Sequence, residues 1–184
     1  MVWALRPWIA EMRWRLSWPA IVVGMVVFGI WVGLDGLYPA IDQMGEKLGF
    51  KTAERRPIPT WNPFIEYGSN ASVAWFFVGV RILGSSLVVP PIEEVFYRSY
   101  LYRYLARPDF QAVPLGCIRW TPFFLTAGVF GFAHREWLAG ILCGLAYQGL
   151  VCWKKRLGDA MTAHAVTNFL LGLWVVGKGD WHFW

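Results

Sequence analysis

Apolar windows close to the length of a membrane-crossing helix, about 20 residues, recur through most of this 184-residue sequence. Little chain is left between them for a separate water-soluble domain. The composition agrees. Hydrophobic residues make up 57%, mean hydropathy is +0.40, and 16% of residues are charged, against about 25% in a soluble domain. The expected fold is all-α: a polytopic transmembrane helical bundle of about six spans, forming one integral membrane domain over residues 1–184. Membrane lipid is the first expected partner, and the expected location is a multi-pass position, in the inner membrane if the source is bacterial.

The pattern along the chain sets the boundaries. Residues 1–15 place Arg6, Arg13 and Arg15 among Trp3, Trp8 and Trp14, which reads as an interfacial lead-in. The first span covers about 18–34 and is followed by a polar loop over 35–72, broken by Pro57, Pro59 and Pro63. A second span covers about 73–89, with Arg81 near its middle. Pro90-Pro91 then restart the chain, since proline suits a first helical turn where its missing N–H is not needed. Further helices are expected over about 92–106, 121–134, 137–153 and 160–176. Gly140 and Gly144 form a G-x-x-x-G face suited to close helix contact. The motif-bearing core is residues 85–176.

The formal charge of +5 raises nucleic acid as a partner, but the basic residues are scattered at helix ends and loops. Nucleic-acid binding needs them gathered in a stripe, so no nucleic acid is expected. Trp14, Trp18, Trp120, Trp137 and Trp153 lie near the ends of apolar runs, as an interfacial aromatic belt does. Cys117, Cys143 and Cys152 lack C-x-x-C spacing, and their odd number argues against a disulfide framework. No small-x-small site follows the first apolar run, so it is read as a retained helix. With six spans, the N-terminus, Glu93 and the Arg135 turn share the side poorer in Lys and Arg, which the positive-inside bias puts at the outer face.

Against this background, the segment Ile92-Glu93-Glu94-Val95-Phe96-Tyr97-Arg98 stands out. Ionisable residues inside spans are costly, rare and usually functional. Glu94 and Arg98 are four apart, so they share a helix face and can pair. Glu93 is turned away by about 100° and is free for reaction. Both carboxylates lie in an expected first turn, where the helix dipole favours anions and opposes the desolvation that disfavours them. A carboxylate that is ionised yet poorly solvated suits a general base. His134 ends the fourth expected helix, and His164 and Asn168 share a face of the sixth. His182, in the tail, is assigned no role. The plainer readings are a Glu94–Arg98 structural pair and histidines bonded to backbone carbonyls; the coincidence of these groups on three helices points to a site.

The three motifs resemble those of the CPBP membrane protease family, also called the ABI or type II CAAX prenyl endopeptidase family: E-E-x-x-x-R (Glu93, Glu94, Arg98), F-x-x-x-H (Phe130, His134) and H-x-x-x-N (His164, Asn168). The short chain is also similar to a bacterial CAAX prenyl protease-related group found beside exosortase systems. The resemblance implies a glutamic intramembrane peptidase without a cofactor or metal. By it, Glu93 and His134 activate water, His164 and Asn168 stabilise the oxyanion, and Glu94 with Arg98 supports the site. The implied partner is a peptide or protein substrate, lipid-modified or plain.

Rival readings stay open at this stage. A zinc peptidase would use Glu93, His134 and His164 as ligands. Cysteine chemistry lacks a histidine at helical spacing from Cys143 or Cys152. A proton-coupled transporter would show paired broken helices or inverted repeats, and none is visible. A non-catalytic scaffold or immunity protein would keep the fold without turnover. Arg81 is a candidate substrate-binding residue, for a C-terminal carboxylate; otherwise it pairs with Glu93 or neutralises another local carboxylate.

Overall fold

The computed structural model describes residues 11, 13–47 and 60–184. Most of the expected lead-in and the centre of the polar loop lie outside those residues. The described elements are α1 (Trp18–Gly33), α2 (Ile41–Lys47), α3 (Pro63–Glu66), α4 (Ala71–Ala106), α5 (Trp120–Phe132), α6 (Trp137–Lys154) and α7 (Leu157–Lys178). Two short 3₁₀ turns, Phe110–Ala112 and Trp181–Phe183, complete them. The fold is all-α, with no strand among the described residues.

The second and third expected spans are one helix. α4 runs unbroken for 36 residues through Pro90-Pro91. An interior proline removes a backbone donor and its ring strikes the carbonyl four residues back. Here the turn just before the prolines, Gly84–Val88, is a π-helix, in which Val89 N–H bonds Gly84 O. The wider turn passes the prolines without ending the helix. A second π stretch, Val95–Leu101, follows Glu94 directly. π turns of this kind are frequent at functional sites.

Merging those two helices reverses one sequence expectation. At one end of the bundle Glu11 pairs with Arg103 (3.0 Å), Thr162 Oγ1 donates to Arg15 O (2.9 Å) and Lys155 lies against Gly116. At the other end Ile41 N–H bonds Arg135 O (3.0 Å) and His182 meets Asp35 (3.0 Å). The N-terminal segment and the Arg135 turn are therefore at opposite ends, because Pro90-Pro91 do not turn the chain.

Helix α1 is started by Ser17, which accepts from Ala20 N–H and donates to Asp159 Oδ1 (2.5 Å), tying α1 to α7. The two helices approach closely: a Cβ on Gly24 would stand 2.5 Å from Ala163 O. The expected Gly140–Gly144 face packs on α5, where added Cβ atoms would lie 2.9 Å from Gly131 Cα and Ala127 Cα. The outer faces are apolar. Val22 and Met25 on α1, Trp75, Val80 and Leu87 on α4, and Phe124 and Val129 on α5 are all exposed. Soluble monomers rarely expose apolar surface on this scale; lipid is its natural surrounding. α4 and α7 are long and apolar enough to cross a membrane, with window hydropathies of 1.8 and 1.4, whereas α1 and α5 are apolar but shorter.

Candidate active site

Two helices and one turn carry the candidate residues. Arg81, Ser85, Val89 and Glu93 form a stripe along α4, and all four line one cavity of about 210 Å³. In an unbroken α-helix, twelve steps turn about 1,200°, leaving Arg81 and Glu93 about 120° apart around the axis. The π turn between them rotates less per residue and takes up part of that difference. His164 and Asn168 face the same cavity from α7, and His134 does so from the turn after α5. The structure thus brings Glu93, His134, His164, Asn168 and Arg81 around one cavity. Glu94 and Arg98 lie behind the cavity wall, fully buried.

Glu94 faces two partners. Its Oε2 stands 3.1 Å from Arg98 Nε, both side chains 0% exposed, and its Oε1 stands 3.0 Å from His164 Nδ1. The first contact was legible from the i,i+4 spacing; the second was not. The Arg98 nitrogens have no hydrogen-bond partner among the described residues. Aromatic faces surround the guanidinium instead: Phe130 at 4.6 Å, Tyr97 at 5.5 Å and Tyr147 at 5.9 Å. Ring quadrupoles attract a cation held in this way, most strongly where water is absent.

His164 is wedged by this arrangement. Its ring stacks on Tyr147 (5.2 Å) and meets Phe130 edge-on (6.2 Å). A carboxylate accepts only, so His164 Nδ1 carries the proton of the bond to Glu94. Nε2 then faces Glu93 Oε2 at 3.9 Å, beyond direct hydrogen-bond reach. Glu93 is 30% exposed at the side chain, and its buried Oε2 has no hydrogen-bond partner.

His134 is fixed through its other nitrogen. Nδ1 lies 2.7 Å from Phe130 O, one of the carbonyls that a helix C-terminus leaves unpaired. That carbonyl only accepts, so Nδ1 carries the proton, and Nε2 of the neutral ring keeps a lone pair. Trp31 supports the ring edge-on (5.5 Å). Phe130 therefore has two tasks, a carbonyl for His134 and a ring beneath Arg98.

Asn168 Nδ2 donates to Ser85 O at 2.8 Å. In the π register, Val89 N–H goes to Gly84 O, and the next residue, Pro90, has no N–H to give Ser85. The amide satisfies a carbonyl that the proline strands, and its remaining N–H is free for the cavity. Glu136, Phe183 and Trp184 also line the cavity. Burial pushes the Glu136 carboxyl above its ordinary range, with the Glu136 backbone and the Arg135 charge opposing.

The Tyr97–Phe130–Tyr147 surround, the stranded Ser85 carbonyl and the Glu136, Phe183 and Trp184 part of the lining were not anticipated. Tyr147 gave no signal, because aromatic residues are common throughout this sequence. Arg81 forms no ion pair among the described residues; its guanidinium lies over Trp61 (5.5 Å) and Trp184 (5.3 Å). Of the alternatives for Arg81, neither a pairing with Glu93 nor one with another carboxylate is seen among the described residues. Among the described residues, no three His, Cys, Asp or Glu side chains form a group suited to a metal ion.

A family model described as Type II CAAX prenyl endopeptidase Rce1-like matches residues 72–170, just over half of the chain. That stretch contains all three motifs. No curated protein and no solved structure matches the chain.

Proposed function

This chain belongs to the Rce1-like family of type II CAAX prenyl endopeptidases, and from that membership and the cavity's chemistry we propose that it is a glutamic intramembrane peptidase acting on a membrane-associated peptide or protein. The family is a membrane-embedded protease family. The finer assignments rest on the side chains around the cavity, with residues 85–176 as the catalytic core of a single multi-pass domain.

The observation that carries the reading is the Glu93–His164 gap. A buried carboxylate oxygen without a partner faces an imidazole nitrogen at 3.9 Å, a separation that one shared water's two hydrogen bonds would span. In this mechanism the water's protons are accepted by Glu93 and His134 Nε2. Its oxygen adds to the scissile carbonyl carbon as Glu93 takes the proton. The carbonyl π electrons move onto oxygen, giving an oxyanion. Asn168, through the N–H not bound to Ser85, and His164 Nε2–H stabilise that charge. His164 must then be an imidazolium, since its Nδ1 proton is already engaged by Glu94. The tetrahedral species collapses, the C–N bond breaks, and the leaving nitrogen takes the proton held on Glu93. Glu94 and Arg98 act by holding His164.

The zinc reading would use Glu93, His134 and His164 in a different bond set, and a chelator separates the two. Purified protein in detergent is given a randomised decapeptide library, and products are read by mass spectrometry with and without 1,10-phenanthroline. The glutamic reading predicts unchanged hydrolysis. Loss in chelator with recovery on added zinc would establish the metal enzyme. Intact peptides under both conditions would remove the peptidase reading.

A further inference from the structure

We propose that residues 179–184 form a strap across the active-site cavity, and that substrate enters only when the strap lifts. The inference rests on the peptidase reading for what the cavity admits, and adds how that site is opened. The cavity, at about 210 Å³, is below the usual 300–1,000 Å³ of small-molecule pockets. A scissile bond with its flanking residues, at about 3.3–3.6 Å of extended chain each, needs more room.

Part of that room is taken by the chain itself. Phe183 and Trp184 line the catalytic cavity beside Glu93, His134 and Asn168. The adjacent His182 lines a second cavity of about 100 Å³ with Asp35, Tyr38 and Arg135. Glu136 lines both. The strap and Glu136 therefore stand between the two cavities. Joined, the two reach the lower end of the small-molecule range, before the space vacated by two aromatic rings is added.

The strap can move as a unit. α7 ends at Lys178, and Gly179 takes a φ of +75°, a left-handed conformation that glycine adopts at no steric cost. Beyond it the backbone hydrogen bonds are local: Trp181 N–H to Gly179 O, Phe183 N–H to Asp180 O and Trp184 N–H to Trp181 O. Asp180 accepts from the Trp174 indole of α7 itself (2.8 Å). Among the described residues, no backbone group of the strap bonds another helix. Rotation about Gly179 thus breaks no ladder, as suits a hinge.

Side chains hold the strap down. His182 Nε2 meets Asp35 Oδ2 at 3.0 Å, with the two side chains 33% and 38% exposed; an ion pair so open to solvent is a weak tie. Trp184 stacks on Trp61 (6.1 Å) beneath the Arg81 guanidinium (5.3 Å). Trp181 meets Phe64 edge-on (5.7 Å), and Phe183 is partly buried against the core. These are the contacts that an entering peptide has to displace.

The test reads access to the cavity on the full chain in detergent, by site-resolved alkylation of its three cysteines with N-ethylmaleimide. Cys143 lines the catalytic cavity and is 2% exposed. Cys117 and Cys152 lie at the opposite end of the bundle, where Cys152 Sγ meets Cys117 O (3.6 Å). Neither His182 nor Asp35 lines the catalytic cavity, so removing either alters the latch and not the wall. His182→Ala and Asp35→Ala should each speed Cys143 alkylation by about two- to fivefold, the shift that an exposed ion pair gives. The double variant should go no further, because one contact is lost in all three. Cys117 and Cys152 should keep their rates. An unchanged Cys143 rate would overturn the proposal, since the segment would then be a fixed wall. Equal acceleration at all three cysteines would also overturn it, since the segment would then brace the whole bundle. Hydrolysis of the decapeptide library is followed in parallel and should rise with Cys143 access. Faster Cys143 alkylation without hydrolysis would support the strap and count against the peptidase reading alone. Hydrolysis at a constant Cys143 rate would overturn the strap and leave the peptidase reading standing.

Discussion

Glu94 Oε1 and His164 Nδ1 stand 3.0 Å apart, joining α4 to α7 through two side chains that solvent scarcely reaches. Glu94 thereby has a second task beyond its pair with Arg98: it sets which nitrogen of His164 faces the cavity. A change at Glu94 should register in both fold and chemistry, whereas a change at Glu93 should register in chemistry alone.

Glu94→Gln leaves the buried Arg98 charge without compensation, a situation that costs about 3–5 kcal/mol. Thermal unfolding in detergent should show a drop of about 2–4 °C per kcal/mol for a chain of this length, together with lost hydrolysis. An unchanged melting temperature would show that the Glu94–Arg98 pair does not hold the fold.

Replacing both partners separates the two tasks of Glu94. Apolar residues in place of a buried ion pair are often neutral or stabilising, so Glu94→Leu with Arg98→Met should recover most of the melting temperature lost in Arg98→Met alone. Hydrolysis should stay absent, because nothing then accepts the His164 Nδ1 proton. Restored cleavage in the double variant would contradict the orienting role.

Asn168→Ala removes the donor that serves Ser85 O and should cost about 1–3 kcal/mol for the orphaned carbonyl. Adding Pro90→Ala returns a backbone N–H at the position where the π register needs one. The double variant should regain stability measured by thermal unfolding but not activity, since the donor proposed for the oxyanion is still missing. Failure of Pro90→Ala to restore any stability would count against the stranded-carbonyl argument.

Gly144→Val forces a side chain into the α5–α6 contact, where even a Cβ would sit 2.9 Å from the Ala127 backbone. Overpacking of this kind costs about 1–3 kcal/mol. Gly149, with only Phe123 near at 3.9 Å, is the control: Gly149→Ala should leave the melting temperature within about 1 °C, as changes away from close contacts do. Equal losses at the two glycines would show that close approach is not what Gly144 provides.

Much of the site was legible because helical spacing converts sequence into geometry. The i,i+4 rule gave Glu94 with Arg98 and His164 with Asn168 on shared faces, and the scarcity of polar groups in apolar runs marked Glu93 and His134. The helix count was less legible. Proline chemistry argues for a break at Pro90-Pro91, and only the π turn at Gly84–Val88, a backbone feature without a residue signature, carries α4 through. That misplacement also put the N-terminus at the wrong end relative to Arg135. The Arg98 surround was illegible for another reason: Tyr97, Phe130 and Tyr147 come from three helices, and tertiary packing of that kind leaves no periodic trace.

The most direct measurement is the turnover of Glu93→Gln beside its melting temperature, each against the unmodified chain in the same detergent. Removing a general base lowers the rate by about 10²–10⁴-fold, while a side chain that faces the cavity without a bonding partner should leave unfolding unchanged. Loss of hydrolysis at constant stability is the predicted result. Hydrolysis at the unmodified rate would contradict Glu93 as the base that activates water.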